Sequence, residues 1–454
     1  METKNQNQHV FNSAKRISNS TTFRMLVIGF LTLILMIPMS FINDLITERK
    51  HRKTDMIYQI NKDWGGDTGI YGVILKIPYK TYVTRTYYDS HNKKHEEVTF
   101  DRYKYLYIFP DSMQLSGNLY AIPKHRGIFK TIVYKAQTRL TGQFAYPDFK
   151  SFNIDPSDVD WDKATLLFKT TNNKGILDRM KVKLGKRTYD FYLQGKDVDD
   201  VLYKKFETKA LQKNPFSQSK YLSFEMNYNV KGSQSFYVIP LASTTEVALK
   251  SNWKDPKFTG YFLPDNDKKI SDDKKSFEAH WKIIDYQRPF QKAYKNVLPK
   301  IDEYAFGVEL LVMVDDYLKS ERSAKYAYLV IFLTFLIFFI IQYVGKVEIH
   351  FFNYFLIGMA LVIFYTLLVS VSEHINFNVS YAIASVATVL LIGLYAGSIL
   401  NSKKFMGYIF SALSVLYLYI FVIIQLENYA LLAGSIGLFV ILALIMYASR
   451  KIKW

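Results

Sequence analysis

Residues 326–344 read YAYLVIFLTFLIFFIIQYV, and this stretch separates a polar part of the chain from an apolar one. About 20 apolar residues are what an α-helix needs to cross the hydrocarbon core of a bilayer. Four more runs of similar length follow after short connectors, at about 351–371, 378–400, 405–425 and 428–447. Short connectors join antiparallel neighbours, so the sequence predicts a five-helix transmembrane bundle over residues 326–448.

A further apolar run, MLVIGFLTLILMIPMSFI, lies near the N-terminus at Met25–Ile42. A cleaved signal peptide is the alternative interpretation, but the run is longer than a usual signal core and no small-residue cleavage site follows it. We therefore expect an uncleaved transmembrane helix over residues 25–43. The fold class predicted is a membrane protein with six transmembrane α-helices, arranged as one plus five around a large central domain.

Basic residues in the short connectors predict the orientation of these helices, because Lys and Arg concentrate on the cytoplasmic side of a membrane. Lys346 and Lys403–Lys404 lie in alternate connectors, on the same side as three basic residues in the C-terminal tail. The opposite connectors contain Glu and His but no Lys or Arg. We expect the tails, residues 1–24 and 449–454, to be cytoplasmic and residues 44–325 to lie outside the membrane.

The central residues 44–325 contain 48 Lys and Arg against 36 Asp and Glu, so about +12 of the total charge of +18 lies there. Such an excess on a translocated domain favours anionic envelope lipid or glycan as a partner, in addition to the bilayer itself. A lysine-rich soluble face that binds nothing is the alternative. Nucleic acid is not expected, since no motif for its recognition accompanies the charge.

Period-two alternation of β-branched and aromatic residues predicts a mainly antiparallel β domain, either a sandwich or a meander. Strands are expected at 70–76, ending at Pro78, and at 129–144 and 164–168. Residues 224–238 predict a hairpin with its turn at Lys231–Gln234, where glycine supplies a positive φ.

Two stretches of the same domain predict helices instead of strands. Asp197–Lys213 has its apolar residues at helical spacing, and Asp315–Tyr326 is expected to continue straight into the helix that follows. A continuous helix there would couple the domain rigidly to the bundle.

Chemical motifs are scarce. The six apolar runs contain no Asp, Glu, Lys, Arg or His, the residues that mark proton pathways and intramembrane catalysis. The chain has no cysteine, no His-Glu-x-x-His pair and no phosphate-binding glycine loop. We expect no cofactor and no metal site, and we favour a non-enzymatic protein while leaving enzymatic activity open.

The candidate functional rim consists of polar residues where helices are expected to emerge outside, namely Ser372, Glu373, His374 and Glu427. Glutamate and histidine could perform acid–base chemistry or contribute to a metal site. The alternative is a structural role, since neighbours at i and i+1 do not face each other on a helix and one such pair makes no site alone.

A candidate aromatic platform lies in residues 251–281, which are rich in Trp, Phe, Pro and Gly. It comprises Trp253, Phe258, Phe262 and Trp281, whose rings could contact a glycan or lipid. A tightly packed structural corner is the alternative.

These aromatic residues also carry a family resemblance. Ser251-Asn252-Trp253, Phe258 with Gly260, Phe306-Gly307-Val308, and Phe364-Tyr365 with Ser372-Glu373-His374 resemble stretches of the bacterial inner-membrane CreD family, the cell envelope integrity proteins. The resemblance covers nearly the whole chain and the one-plus-five layout. It implies a role in envelope integrity or envelope stress response, without a reaction or a catalytic residue. In place of the family's glycine-proline, this chain has Gly72-Val73.

Overall fold

The computed structural model describes residues 21–89, 94–195, 203–268, 276–310, 316–400, 402–426 and 429–449. The helices are α1 Thr21–Trp64, α2 Asp316–Lys325, α3 Ala327–Gly345, α4 Phe351–Ser372, α5 Phe377–Leu400, α6 Lys403–Gln425 and α7 Ala430–Ser449. The strands are β1 Thr68–Asp89, β2 Lys94–Ile108, β3 Ser112–Arg126, β4 Phe129–Ala145, β5 Thr165–Thr170, β6 Lys181–Leu184, β7 Arg187–Leu193, β8 Lys204–Thr208, β9 Tyr221–Ser233, β10 Ser235–Val238, β11 Thr244–Ser251, β12 Pro256–Gly260, β13 Asn266–Lys268, β14 Phe277–Ile284, β15 Ala293–Lys295 and β16 Phe306–Leu310.

The chain divides into two compact units. One contains Asp55–Met313, and the other contains Met1–Thr54 together with Val314–Trp454. We refer to them as the sheet domain and the helical bundle. This division confirms a membrane protein with a large, mostly antiparallel β domain inserted between apolar helices.

Five helices in the described part of the chain, α1 and α3–α6, are long and apolar enough to cross a membrane. A further apolar helix, α7, follows them but is not among these five. The described spans are thus one N-terminal and four C-terminal helices, where the sequence predicts one plus five. Their apolar composition on all sides is typical of segments whose solvent is lipid, where every backbone polar group must be bonded inside the helix.

The first helix is longer than the sequence predicts. Helix α1 does not stop near residue 43 but continues as one helix to Trp64. Its polar second part is rich in residues that support a helix, and Glu48 and Arg52 form an ion pair one turn apart. Its last turn belongs to the sheet domain, where the Trp64 indole donates to the Tyr134 carbonyl at 3.2 Å.

The strands of the sheet domain form one hydrogen-bonded sheet with two halves. The first half runs β12-β16-β10-β1-β5-β8-β7, and the second runs β6-β9-β4-β3-β11-β14-β13, with the β6–β7 pair joining them. All pairs are antiparallel except β1 with β10 and β3 with β11.

The two halves bury their apolar faces in a shared core, which makes the domain sandwich-like. Alternate residues point into this core, as the burial pattern of β3 illustrates. Aromatic rings meet across it in the pairs Tyr134–Phe236, Phe168–Tyr228 and Trp281–Phe306. The strands predicted at 129–144 and 164–168 are confirmed as β4 and β5.

The predicted hairpin at 224–238 is wrong. Both strands exist, but β9 pairs with β4 and β6, whereas β10 pairs with β1 and β16 in the other half. The left-handed residue is Gln234, with a φ of 54°, and it carries the chain from one half to the other. Gly232 lies within β9, opposite Tyr134, where a Cβ would collide with the tyrosine hydroxyl.

Two further predictions within the domain are corrected. Strand β1 does not end at Pro78 but continues to Asp89, with a bulge between Tyr71 and Val73 that gives Gly72 a φ of 28°. The helix predicted over residues 197–213 is wrong where the structure describes it, because Lys204–Thr208 is strand β8. Pairing of β8 with both β5 and β7 outweighs the local helical spacing.

Helix α2 confirms the helix predicted for 315–326, but it does not run straight into the next one. It ends at Lys325, and Tyr326 interrupts the helix with φ −89° and ψ 2°. Helix α2 packs within the bundle against α4, α5 and α6 as well as α3. Helix α2 is therefore an amphipathic helix that belongs to the bundle, and it is not continuous with α3.

Candidate functional site

One member of the candidate rim, Glu373, follows directly after α4 and is bound to α1. The Glu373 carboxylate lies 3.4 Å from Nε of Arg49, and only 14% of its side chain is exposed. Charged groups removed from water need an opposite charge, and Arg49 supplies it. This contact joins the end of α4 to the first helix of the bundle.

Other polar contacts at this rim tie α2 to its neighbours. Lys50 of α1 and Lys325 both bind the Glu321 carboxylate, at 3.2 and 3.0 Å. Hydrogen bonds from Lys325 and Lys50 hold the pKa of Glu321 below its usual range. The Lys319 ammonium donates to the Gln425 side chain at 3.1 Å, which connects α2 to the end of α6. We call the set Arg49, Lys50, Lys319, Glu321, Glu373 and Gln425 the polar rim.

Of the remaining predicted rim residues, the structure describes Ser372 and His374. Ser372 is buried, and its hydroxyl donates to the Val369 carbonyl within the same helix at 2.9 Å. His374 is exposed. Glu427 lies outside the described residues. In the part of the chain that the structure describes, no group of three His, Cys, Asp or Glu residues could hold a metal ion.

Three of the four residues of the candidate aromatic platform, Phe258, Phe262 and Trp281, lie close to one another in the sheet domain. The Phe258 ring meets Trp281 edge-on at 5.8 Å, and the Phe262 carbonyl accepts a hydrogen bond from the Trp281 indole at 3.3 Å. Trp281 is only 2% exposed, while Trp253, Phe258 and Phe262 are partly buried against the same core. The Phe262 and Trp281 rings also pack on Phe306, and the Phe258 ring packs on Phe277.

Several residues of the polar rim do not stand out in the sequence as candidate site residues. Arg49 and Lys50 lie in the basic stretch that follows the first apolar run, and Glu321 lies within the predicted helix Asp315–Tyr326. One sequence pattern does indicate a basic face on this helix: Arg49 and Lys53 lie one helical turn apart and therefore face the same side of α1. Their partners in α2 and after α4 are about 270 to 325 residues away in sequence, so only the packed bundle reveals them.

The fold and the rim define a multi-pass membrane protein with a large inserted sheet domain. The family model described as Inner membrane protein CreD matches residues 20–454. The chain is also 26% identical over 438 residues to the Inner membrane protein CreD of Escherichia coli (strain K12), covering 93% of this chain and 91% of that protein. The protein belongs to the CreD family, and it is an inner-membrane protein.

Proposed function

We propose that the protein supports the integrity of the cell envelope, or its response to stress, by non-enzymatic binding through the sheet domain while the bundle anchors it. The observation that carries this proposal is the Glu373–Arg49 ion pair. Glu373 is the candidate acid–base residue on which an enzymatic interpretation most depends, and Arg49 engages its carboxylate. A carboxylate held in an ion pair between two helices is suited to joining those helices.

The orientation belongs to the same proposal: both termini cytoplasmic and residues 44–325 outside. The absence of cysteine from the sequence gives a direct test by single-cysteine labelling. Tyr286 in the sheet domain is 94% exposed, and Lys404 at the start of α6 is exposed as well. In spheroplasts, a membrane-impermeant maleimide should label Tyr286→Cys at once and Lys404→Cys only after lysis. The opposite pattern overturns the orientation.

The function itself is tested by deleting the gene in its own host and measuring sensitivity to detergents and to antibiotics that act on the cell wall. We expect increased sensitivity that the wild-type gene reverses. A deletion strain indistinguishable from its parent under all of these conditions would remove the proposal.

A groove in the bundle favours a second candidate, an enzyme or carrier that handles a lipid or lipid-linked glycan. A groove of about 490 Å³ lies between α5 and α6, is lined mostly by apolar side chains and reaches Asn378 at the polar end of the bundle. The Tyr417 hydroxyl beside it is buried and has no hydrogen-bond partner among the described residues. Full complementation by both Ser414→Trp, which fills the groove, and His374→Ala would eliminate this candidate.

A further inference from the structure

The solvent-facing side of the second half of the sheet carries polar residues in register across five strands. One row across the strands consists of His280, Ala248, Ser116, Arg139 and Asn227. The next row consists of Glu278, Lys250, Asn118, Gln137 and Asn229. Four strand spacings of about 4.8 Å make this face roughly 19 Å wide.

A trough runs across this face because its central residues are small. Ser116 and Ala248 form the floor and are flanked by the longer Arg139, Gln137 and Lys250. Two depressions of about 460 and 630 Å³ meet there and share Ser116, Ala248 and Arg139 in their linings. The trough is therefore continuous across the middle of the sheet, and we call it the amide trough.

Three side-chain amides in the trough have no hydrogen-bond partner among the described residues, those of Asn118, Gln137 and Asn227. All three are exposed. Asparagine is disfavoured within strands, yet Asn118 lies in the middle of β3 and Asn227 in the middle of β9. Residues that disfavour the secondary structure in which they lie are expected at functional sites.

The basic residues that line the trough are paired with carboxylates. Arg139 binds Glu225 at 2.7 Å, Lys250 binds Glu278 at 2.9 Å, and Lys282 binds Glu246 at 3.1 Å. The net positive charge of the domain is therefore largely compensated at the trough. An anionic ligand would have to displace these ion pairs in order to bind there. What remains free is a set of amide donors and acceptors, which complements an uncharged ligand rich in hydroxyl or acetamido groups.

We propose that the amide trough binds an uncharged glycan chain, lying across the strands with its polar groups on Asn118, Gln137 and Asn227. The inference rests on the proposed function, since it names the envelope material that the sheet domain binds. It also changes the expected chemistry: the partner for this face is a neutral glycan and not an anionic one.

The probe is a soluble pentamer of N-acetylglucosamine, titrated by calorimetry into the full-length protein in phosphatidylcholine nanodiscs. We expect saturable binding with a dissociation constant below about 1 mM, and little change in affinity between low and high salt because no ion pair forms with the ligand. Vesicles containing phosphatidylglycerol serve as the competing anionic partner.

Two kinds of variant locate the site. Ser116→Trp fills the floor, and Asn118→Ala and Asn227→Ala each remove one amide without burying anything new. Loss of the hydrogen bonds of one amide should weaken binding about 5- to 10-fold. Asn173→Ala is the matched control, because Asn173 is an exposed amide of the same domain that lines neither depression. Thermal melting of each variant establishes that it is folded.

Saturable binding that the trough variants weaken and Asn173→Ala does not would support the proposal. No saturable binding up to about 10 mM, or equal affinity in all variants, would overturn it. Binding to anionic vesicles alone would also overturn it, yet would leave the proposed function standing. Failure of the gene deletion to alter envelope sensitivity would instead remove the proposed function, whatever the trough binds.

Discussion

The Glu373–Arg49 ion pair gives the sharpest test of whether the polar rim is structural. At 3.4 Å the attraction between two unit charges is about 5 kcal/mol at an effective dielectric constant of about 20. Desolvation and screening reduce this figure, because 35% of the Arg49 side chain is exposed. We therefore expect a net coupling of about 1 kcal/mol, which a double-mutant cycle can isolate.

The cycle compares Glu373→Gln, Arg49→Gln and the double variant by thermal melting in detergent. Each single variant should lower the melting temperature by about 2–4 °C, and the double variant should lower it by less than the sum. Glu348→Gln is the matched control, because Glu348 also pairs with an arginine, Arg24, but at 3.9 Å and with 85% of its side chain exposed. Its effect should lie within about 0.5 kcal/mol of zero.

The charge-swapped protein Glu373→Arg with Arg49→Glu separates structure from chemistry. A structural pair should recover both melting temperature and complementation of the gene deletion when its charges are exchanged. Recovery of stability without complementation would refute the reasoning, because it would show that the Glu373 carboxylate is needed at its own position. Additive effects in the double-mutant cycle would refute the coupling itself.

Three other predictions concern the sheet domain, and each is measured by unfolding of the purified protein followed by tryptophan fluorescence. Gly232→Ala should destabilise the domain by about 1–3 kcal/mol, because the added Cβ collides with the buried Tyr134 hydroxyl; an unchanged midpoint would contradict this packing. Asn172→Ala should cost about 2–4 kcal/mol, since the buried amide bonds three separate segments through Thr68, the Lys231 carbonyl and the Gly175 N–H; a loss below about 0.5 kcal/mol would count against the network. The hydrogen bond from Lys250 lowers the pKa of Glu278, so Glu278 stabilises the domain above its unfolded pKa, and this contribution is lost as the pH falls through the lower folded pKa. Glu278→Gln should therefore be less stable than wild type at pH 7, and the difference should shrink as the pH falls below about 4, the ordinary range of a glutamate. A difference that stays constant as the protein is acidified would disprove the linkage.

The membrane character of the chain, its layout and many of its strands follow from the sequence because they depend on local properties. Hydropathy over about 20 residues identifies a segment that lipid will accept, and the apolar helices are found where the runs predict them. Alternation identifies β4 and β5 in the same way, since one face of each strand must meet the core.

Pairing between distant strands determined parts of the fold that local sequence patterns did not predict. The residues of β9 and β10 read as a hairpin because they are adjacent in sequence, but each strand gains more by joining a different half of the sheet. Similarly, Lys204–Thr208 becomes a strand because β5 and β7 provide backbone partners on both sides. Hydrogen bonds and core contacts with distant strands outweigh preferences of a few tenths of a kcal/mol per residue.

The sequence by itself determined that this protein is held by apolar helices, that a large β domain lies between them, and that Glu373 stands where a helix ends. Only the tertiary structure decided that Arg49 neutralises Glu373, and that Asn118, Gln137 and Asn227 share one trough. The physical reason is that an ion pair or a binding surface depends on distances of a few ångströms between residues far apart in the chain. Those distances are fixed by packing of helices and by register between strands, and no local pattern encodes them.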